Sequence, residues 1–512
     1  MVHTPVLARA VAALSGAALL MTLGACSSSQ TSSTATTNAN TSADAGSVTM
    51  FAPADGITMS QRTPLNKWAK LIPQITDDLK KQGMEKRNIS TVVSADLDKQ
   101  SQQLQDWVVK RVANLKKGSE AAQRSTLIVA PASQTNASSR QYGDYVTQPV
   151  VKGAQDSEQR EAENRMRSAL QLARKAGMHV VLVSNTVSGF TPDAFVQCST
   201  PEQIGELQAN MLVSKLDLGK VSRDNPKSIE VLLPYAYADD ADGTKSDDAE
   251  INDAFAKEAF KGVWKILKPY YEQGKVYSPS GSLSKDSTDD DWQNVAFDLN
   301  EKDGAAGTIE ERIPAIRKDG TTSLTRIDGI IAMNDAVASS VVDKLDDMGY
   351  TGSSADINPS ITIPSIVGNI AGHKDLLRKA VPDPVKSPTN DPQSQRDGSR
   401  SGASSSARNS HDSRWPVITG YGSYADTIPQ VVNGKQWMTG LENRDELSTD
   451  IARACVRLNR GKDFSGLSYI TEQTIDGTRT PTIHEELSAV SAGNLKTTLI
   501  DTGYISMAEA GL

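Results

Sequence analysis

Cysteine, histidine and aromatic residues are scarce in this sequence: three, five and 5 % of 512 positions. Three cysteines cannot build a disulfide framework, and five histidines leave little for a histidine-rich metal site. A basic excess is missing as well. Lys and Arg total 54 against 62 Asp and Glu, a formal charge of −8 with a pI near 5.4. Nucleic-acid binding needs a basic face to displace phosphate counterions, so no nucleic-acid partner is expected. After residue 25 no run stays apolar over the roughly 20 residues that a bilayer span requires. Zinc proteins, nucleic-acid binders and membrane-spanning enzymes are poor fits.

Catalytic signatures are missing too. The chain has no Gly-x-Ser-x-Gly elbow, no His-Glu-x-x-His, no phosphate-cradling glycine loop and no Cys-x-x-Cys. No catalytic residue, metal ligand or cofactor is therefore expected, although plentiful carboxylates keep an exported carboxylate hydrolase open as the weakest alternative. Cys198 and Cys455 read as two buried free thiols, with pairing in an oxidising compartment left open.

What is present begins with an address. Residues 1–25 carry a weakly basic start at Arg9 and an apolar run from Val11 to Leu23, too short to favour a stable span and shaped like a secretory signal. It ends Leu23-Gly24-Ala25-Cys26, which resembles the lipobox of bacterial lipoproteins. That resemblance implies cleavage before Cys26, a diacylglycerol on its thiol and a place on the extracytoplasmic face of the cell membrane. Residues 26–47, nearly all Ser, Thr, Ala, Asn and Gln, read as a disordered tether because they cannot form a core.

From Val48 onward, β-rich runs alternate with helical patterns, the signature of parallel α/β architecture. Strands are expected at 48–52, 89–93, 126–130, 179–184, 194–198, 229–233, 276–277, 327–333, 417–420 and 437–441. Between them fall helices at 64–82, 97–115, 161–176, 201–216, 249–271, 309–317, 336–348 and 447–459. The length implies two or three units, and two consecutive series suggest two lobes around a cleft. Ligands of open α/β sheets bind beyond the carboxyl ends of strands. That places the working loops after Ala52, Pro131, Ser184, Pro234, Met333 and Gly420. Two stretches, 237–250 and 382–414, lack apolar periodicity; the first reads as a solvated acidic loop, the second as a disordered insertion.

Four segments carry a family likeness: Gln203-Ile204-Gly205-Glu206-Leu207-Gln208-Ala209, Gly262-Val263-Trp264-Lys265-Ile266-Leu267-Lys268-Pro269, Asp328 to Asp335, and Val432 to Thr439. In order and spacing they resemble type I periplasmic binding proteins of sugar ABC importers, closest to the xylose-binding and multiple-monosaccharide-binding branch. The resemblance implies two Rossmann-like lobes with parallel sheets, joined by a three-crossing hinge. The first lobe would be 48–187 plus 443–470, the second 188–442 plus 471–512. It further implies a monomeric solute-binding subunit with a small carbohydrate in the interlobe cleft and ABC permease subunits as partners. An extracellular sensor or co-receptor on the same fold is the alternative.

Site expectations follow from the same likeness. Asn334 and Asp335 match the family's Asn-Asp, whose Asp accepts from sugar hydroxyls, and Trp292 resembles its stacking tryptophan. Arg62 lies in the loop after the first strand, among the family's ligand contacts. Asp253 remains where an Asn pair has been replaced near Ala254-Phe255. Asn185 stands in place of the family's Asp-Arg, Tyr421 in place of its Gly-Gln-Asp turn, and Glu442 in place of a basic residue. Losing a bidentate guanidinium donor implies a changed ligand or lower affinity for ordinary monosaccharides.

Overall fold

A computed structural model describes residues 45–55, 64–115, 119–133, 138–149, 157–237, 247–301, 303–318, 320–355 and 415–508. The expected signal segment, Cys26, most of the tether, Arg62, most of the acidic loop and the 382–414 insertion lie outside the described residues. The first series runs β1 (Ser47–Pro53), α1 (Trp68–Lys81), β2 (Ile89–Ser94), α2 (Leu97–Asn114), α3 (Glu120–Gln123), β3 (Ser125–Val129), α4 (Ser157–Ala176), β4 (His179–Val183) and β5 (Ala194–Gln197). The second opens with α5 (Pro201–Lys215), β6 (Lys227–Val231), β7 (Leu233–Tyr235), α6 (Asp247–Glu272), β8 (Val276–Tyr277), β9 (Ala296–Asp298) and α7 (Gly304–Arg312). It continues through β10 (Ile316–Lys318), β11 (Thr321–Ser323), β12 (Gly329–Ile331), α8 (Asp335–Met348), β13 (Val417–Tyr421), α9 (Ile428–Val432) and β14 (Met438–Leu441). The chain closes with α10 (Arg444–Asn459), β15 (Ile470–Ile475), β16 (Thr478–His484) and β17 (Ser488–Ser491).

Among the described residues two large sheets form, ordered β15-β16-β5-β4-β3-β1-β2 and β17-β14-β13-β12-β6-β8, beside the two-stranded pairs β7-β9 and β10-β11. Their inner pairings are parallel, and only β15 and β17 join antiparallel at the edges. Counting β6 as the first strand of its lobe, both sheets read 2-1-3-4-5. In that order the chain reverses its winding beside the first strand, which opens a crevice between β1 and β3 and another between β6 and β12. Fully buried strands such as β3 and β4 need apolar side chains on both faces, and Leu127, Ile128, Val129, Val180, Val181 and Leu182 supply them.

Local chemistry sets the helix starts. Thr200 and Gln203 form a reciprocal capping box that opens α5 with Pro201 in its first turn. Asn334 caps α8 by accepting from the Val337 N–H. Helices α5 and α6 pack at backbone distance. A Cβ on Gly262 would meet the Glu202 carbonyl at 2.0 Å, and one on Gly205 the Ala259 carbonyl at 2.2 Å. Two of the segments that carry the family likeness therefore meet here.

Three connecting segments cross between the lobes, after β5, β14 and β16, and their positions correct the expected boundaries. Strand β5 belongs to the first sheet, paired with β4, so the first crossing falls at Cys198–Thr200 rather than at 187/188. Strands β15 and β16 also stay in the first sheet, with β16 parallel to β5. The chain returns to the second sheet only at β17. The hairpin turn Asp476-Gly477 has φ of +47° and +76°, the two left-handed positions that an Asp-Gly turn adopts readily. The helix expected at 309–317 ends at Arg312 instead, and Ile316–Lys318 forms an exposed hairpin with Thr321–Ser323. Pro314 supplies the reason, since it disfavours helix in the residue before it and donates no N–H.

Apolar clusters sit on both faces of each sheet, and Cys198 and Cys455 are buried free thiols in one of them. Among the described residues no helix is long and apolar enough to cross a membrane.

Candidate functional site

The carboxyl ends of the two sheets face each other across the crossings, and the loops leaving β1, β3, β12 and β13 interlock there. Ser184, Met333 and Ser423, just beyond β4, β12 and β13, take φ of +67°, +61° and +49°. Left-handed backbone at non-glycine residues costs on the order of 1–3 kcal/mol each and gathers where a fold aims side chains at a site. All three are fully buried.

Residues 138–149, which follow β3, enter the seam between the lobes. The Ser138 hydroxyl donates to the Pro234 carbonyl of the second lobe at 2.9 Å. Asn334 Nδ2 donates to Gln141 Oε1 at 2.8 Å, and the Tyr424 hydroxyl donates to the Gln141 carbonyl at 2.6 Å. Tyr142, 1 % exposed, packs its ring 5.1 Å from Phe255 and 6.3 Å from Tyr421. On the first-lobe side, the Thr147 N–H donates to the Ser199 carbonyl at 2.9 Å. Gln148 N–H donates to Asn185 Oδ1 at 3.0 Å. The gap between the lobes here is thus filled by the chain's own tyrosine and glutamine.

Tyr421 is the centre of this seam. Its hydroxyl donates to Ser199 Oγ at 2.9 Å and accepts from Asn66 Nδ2 at 3.2 Å, while Asn66 Oδ1 accepts from the Tyr145 hydroxyl at 3.2 Å. Burial first, and then the nearby Glu442, hold the Tyr421 phenol well above its ordinary pKa. Glu442 lies on the second crossing with no exposed surface, and its Oε2 accepts from the Ser199 N–H of the first crossing at 2.6 Å. Its other oxygen meets no donor among the described residues. Burial pushes the carboxyl up to about 7, against the Ser199 hydrogen bonds that lower it.

Asp335 is fully buried and engaged within its own lobe. Gln436 Nε2 donates to Oδ1 at 2.6 Å, and the Thr439 hydroxyl and Tyr424 N–H donate to Oδ2 at 2.7 and 3.1 Å. Burial raises its pKa to about 6, with those three donors opposing. With no exposed surface, it presents nothing to a sugar hydroxyl. The cap role belongs to its neighbour Asn334, whose amide also reaches Gln141.

The other expected residues lie apart. Trp292, 7 % exposed, packs against Tyr235 at 5.3 Å, and the Tyr235 hydroxyl donates to Asp253 Oδ1 at 2.5 Å. That pair neighbours the seam through Phe255, two residues along α6 from Asp253, whose ring packs on Tyr142. Asn185 donates through Nδ2 to the Pro131 carbonyl at 3.3 Å. It lines a cavity of about 480 Å³ with Gln148, Thr186 and Gln197. The structure brings together Asn334, Asp335 and Tyr421, and leaves Asn185 and the Asp253–Trp292 pair on either side. Asn66, Gln141, Tyr142 and Ser199 were not expected. The two tyrosines at 142 and 145 in an otherwise polar stretch were the available signal.

No protein-family model matches the chain, and no curated protein matches it by sequence. Solved structures do match. A carbohydrate transporter solute-binding protein from Chloroflexus aurantiacus in complex with D-glucose is 16 % identical, with 90 % of this chain and 97 % of that chain covered and a TM-score of 0.48. An ABC transporter solute-binding protein from Clostridium phytofermentans with bound β-D-glucose is 14 % identical, covering 90 % and 99 %, at 0.47. A sugar ABC transporter protein from Actinomyces odontolyticus is 12 % identical, covering 90 % and 98 %, at 0.46. Two 2-1-3-4-5 sheets joined by three crossings are the two-lobed parallel α/β architecture that the sequence implied.

Among the described residues, no three His, Cys, Asp or Glu side chains gather in a metal-binding group. The polar groups at the seam include amides and hydroxyls from Asn66, Gln141, Asn334, Tyr421 and Ser199, together with the carboxyls of Asp335 and Glu442 and the Lys67–Asp144 ion pair. The amides and hydroxyls of this set can exchange hydrogen bonds with a neutral, hydroxyl-rich molecule.

Proposed function

We propose that this chain is the solute-binding subunit of an ABC importer, lipid-anchored through Cys26 on the outer side of the cell membrane, and that it takes a small carbohydrate between its lobes. One observation carries the reading: two sheets of identical strand order turn their crevices toward each other across three crossings. Hinge motion about those crossings would expose and enclose the strand ends. The amides and hydroxyls of the seam, which can both donate to and accept from hydroxyl groups, support a polyol. Ligand entry requires residues 138–149 to withdraw, so the solute competes with Tyr142 and Gln141 for the same groups.

A sensor or co-receptor on the same fold is the second reading, favoured by that internal occupant, which lowers affinity for free solute.

The test is thermal unfolding of the unit from Thr41 onward against pentoses, hexoses and oligosaccharides. A ligand that binds only the folded state at 100 times its dissociation constant adds about 2.7 kcal/mol. A shift of several degrees with one sugar class supports the importer reading. No shift with any carbohydrate refutes carbohydrate binding and moves the assignment to the sensor.

A further inference from the structure

Beside the seam, the first lobe holds a cavity of about 480 Å³ under the amino-terminal half of α4. Its floor is one face of the sheet. Alternate side chains of a strand share a face, and Phe195 of β5 and Ile475 of β15 belong to the apolar cluster that includes Met166 of α4. Gln197 and Gln473 therefore face α4 as well. A sheet face under a helix ordinarily carries apolar side chains, yet here it presents two primary amides, and Gln473 Nε2 donates to Gln197 Oε1. The helix departs from an apolar stripe at the same place. Gln159, Glu163 and Met166 lie on one face of α4 and line the cavity. We infer that this cavity is a second small-molecule site, for a ligand rich in hydroxyl groups, and that its occupant holds residues 138–149 in the seam.

The lining suits hydroxyls. Gln148 and Asn185 add two further amides, and a primary amide both donates and accepts, as a sugar hydroxyl does. Gln148 Nε2 donates to the Val146 carbonyl at 3.1 Å, whereas its Oε1 meets no donor among the described residues. A buried polar atom is rarely left unpaired in a folded protein. The terminal torsion of a glutamine is soft, so this oxygen can swing to the cavity and meet a ligand hydroxyl. Phe195, Met166 and Val187 supply the apolar surface against which the C–H face of a ring packs. The two carboxyls in the lining are held by backbone: Glu163 accepts from the Ser188 N–H at 2.9 Å and Asp476 from the Gly189 N–H at 2.8 Å. The volume falls within the roughly 300–1,000 Å³ of small-molecule sites.

The cavity is distinct from the seam, since none of Asn66, Gln141, Tyr142, Asn334, Asp335 or Tyr421 lines it. One segment links the two. Near its carboxyl end the Gln148 N–H donates to Asn185 Oδ1 at 3.0 Å and the Thr147 N–H to the Ser199 carbonyl at 2.9 Å. Toward its other end Gln141 and Tyr142 fill the seam. A ligand that bridges Gln148 and Asn185 makes bonds that exist only while the segment is in place, so it favours this arrangement over a withdrawn one. Ile251 of α6 brings the second lobe into the same lining, which ties the site further to the lobes as they stand. By reciprocity, a solute in the seam and a ligand in the cavity weaken each other's binding. That last consequence rests on the proposed function, whereas the site itself does not.

The experiment uses the chain from Ser27 onward, which contains the whole compact unit Thr41–Leu512. The probes are myo-inositol, D-glucose and trehalose, tried singly, with cyclohexanol as a ring bearing one hydroxyl. Calorimetry is expected to show binding of at least one polyol and none of cyclohexanol. An amide hydrogen bond contributes about fivefold in affinity, so Gln197→Leu with Gln473→Leu should lose about 25-fold. Replacing both members of the pair by apolar groups keeps the fold. Gln148→Met should lose about fivefold. Glu472→Gln with Arg479→Gln removes an exposed ion pair from the same hairpin and should change affinity less than about twofold. Circular dichroism checks that all variants fold. Hydrogen exchange locates the ligand: at ten times its dissociation constant, exchange in 138–149, 184–189 and 473–476 should slow by up to about tenfold. No binding of any polyol, equal losses in the two double variants, or protection confined to 333–337 and 421–424 overturns the site. Protection of 184–189 and 473–476 with 138–149 unchanged overturns the hold on the segment. Tighter binding of putrescine than of every polyol overturns the ligand class, with Glu163 and Asp476 as the cation's partners. A sugar in the seam protects 421–424 instead, so the proposed function is judged on different residues.

Discussion

Glu442→Gln tests the hinge most sharply. The carboxyl is fully buried between two crossings, with one oxygen held by the Ser199 N–H and the other without a donor among the described residues. Its pKa rises from an ordinary 4.5 to about 7 in the folded chain. The unfolded chain releases this proton near 4.5, whereas the folded chain keeps it until about 7. Stability from this group is therefore fully present below pH 4.5 and is lost as pH rises to 7. At 1.36 kcal/mol per pH unit, the loss is about 3 kcal/mol. Glutamine has the shape of the protonated acid, still accepts from Ser199, and does not ionise. Glu442→Gln should match the parent near pH 4.5 and exceed its stability by about 3 kcal/mol at pH 8. Urea unfolding at both pH values measures it. Asp335 is also raised, to about 6, so the quantity to follow is the difference between variant and parent at each pH. A difference that stays constant with pH, or a variant less stable at pH 8, refutes the claim that this carboxyl is held protonated at the hinge.

Three further outcomes are expected. Tyr142→Ala removes the ring between Phe255 and Tyr421 and should weaken the seam by about 3 kcal/mol. If the seam competes with solute, calorimetric affinity for the cognate sugar rises by up to about 100-fold, and unchanged affinity would show that the two do not compete. Asp335→Ala strands the Gln436, Thr439 and Tyr424 donors, and denaturant unfolding should show a loss of about 3 kcal/mol. A variant that unfolds like the parent yet loses its sugar response would make Asp335 a direct ligand contact. Gly262→Ala drives a Cβ into the Glu202 carbonyl, where backbone meets backbone and no side chain can yield. It should cost about 1–3 kcal/mol in spite of alanine's better helix propensity, and a stabilised variant would show that α5 and α6 can separate freely.

Much of the fold was legible because each lobe is built from local repeats. Buried strands such as Thr126–Ala130 and His179–Ser184 announce themselves as short β-rich runs, and the α1 stripe of Trp68, Leu71, Ile75 and Leu79 recurs at helical spacing. The C-terminal hairpin was missed although Asp476-Gly477 marks its turn, because β15 and β16 carry polar residues on their outer faces. Sheet membership near the crossings was misplaced for a different reason. Ala194–Gln197 reads as a strand from sequence, but which sheet accepts it depends on the edges that β4 and β16 offer.

The site divides along the same line. Residue type and spacing mark Asn334-Asp335 and Tyr421 as ends of strands that face a cleft, since a strand end before a helix is a local pattern. Nothing local says that Asp335 would spend its oxygens on Gln436 and Thr439, about a hundred positions away. Nor does sequence show that the segment after β3 folds back into the seam, or that Glu442 would meet Ser199 across 243 positions. Propensity and periodicity act over a turn or two of chain and so determine elements and their order. Burial, competition for hydrogen-bond donors and the pKa of a carboxyl depend on every element packed around a group, and only the assembled lobes decide them.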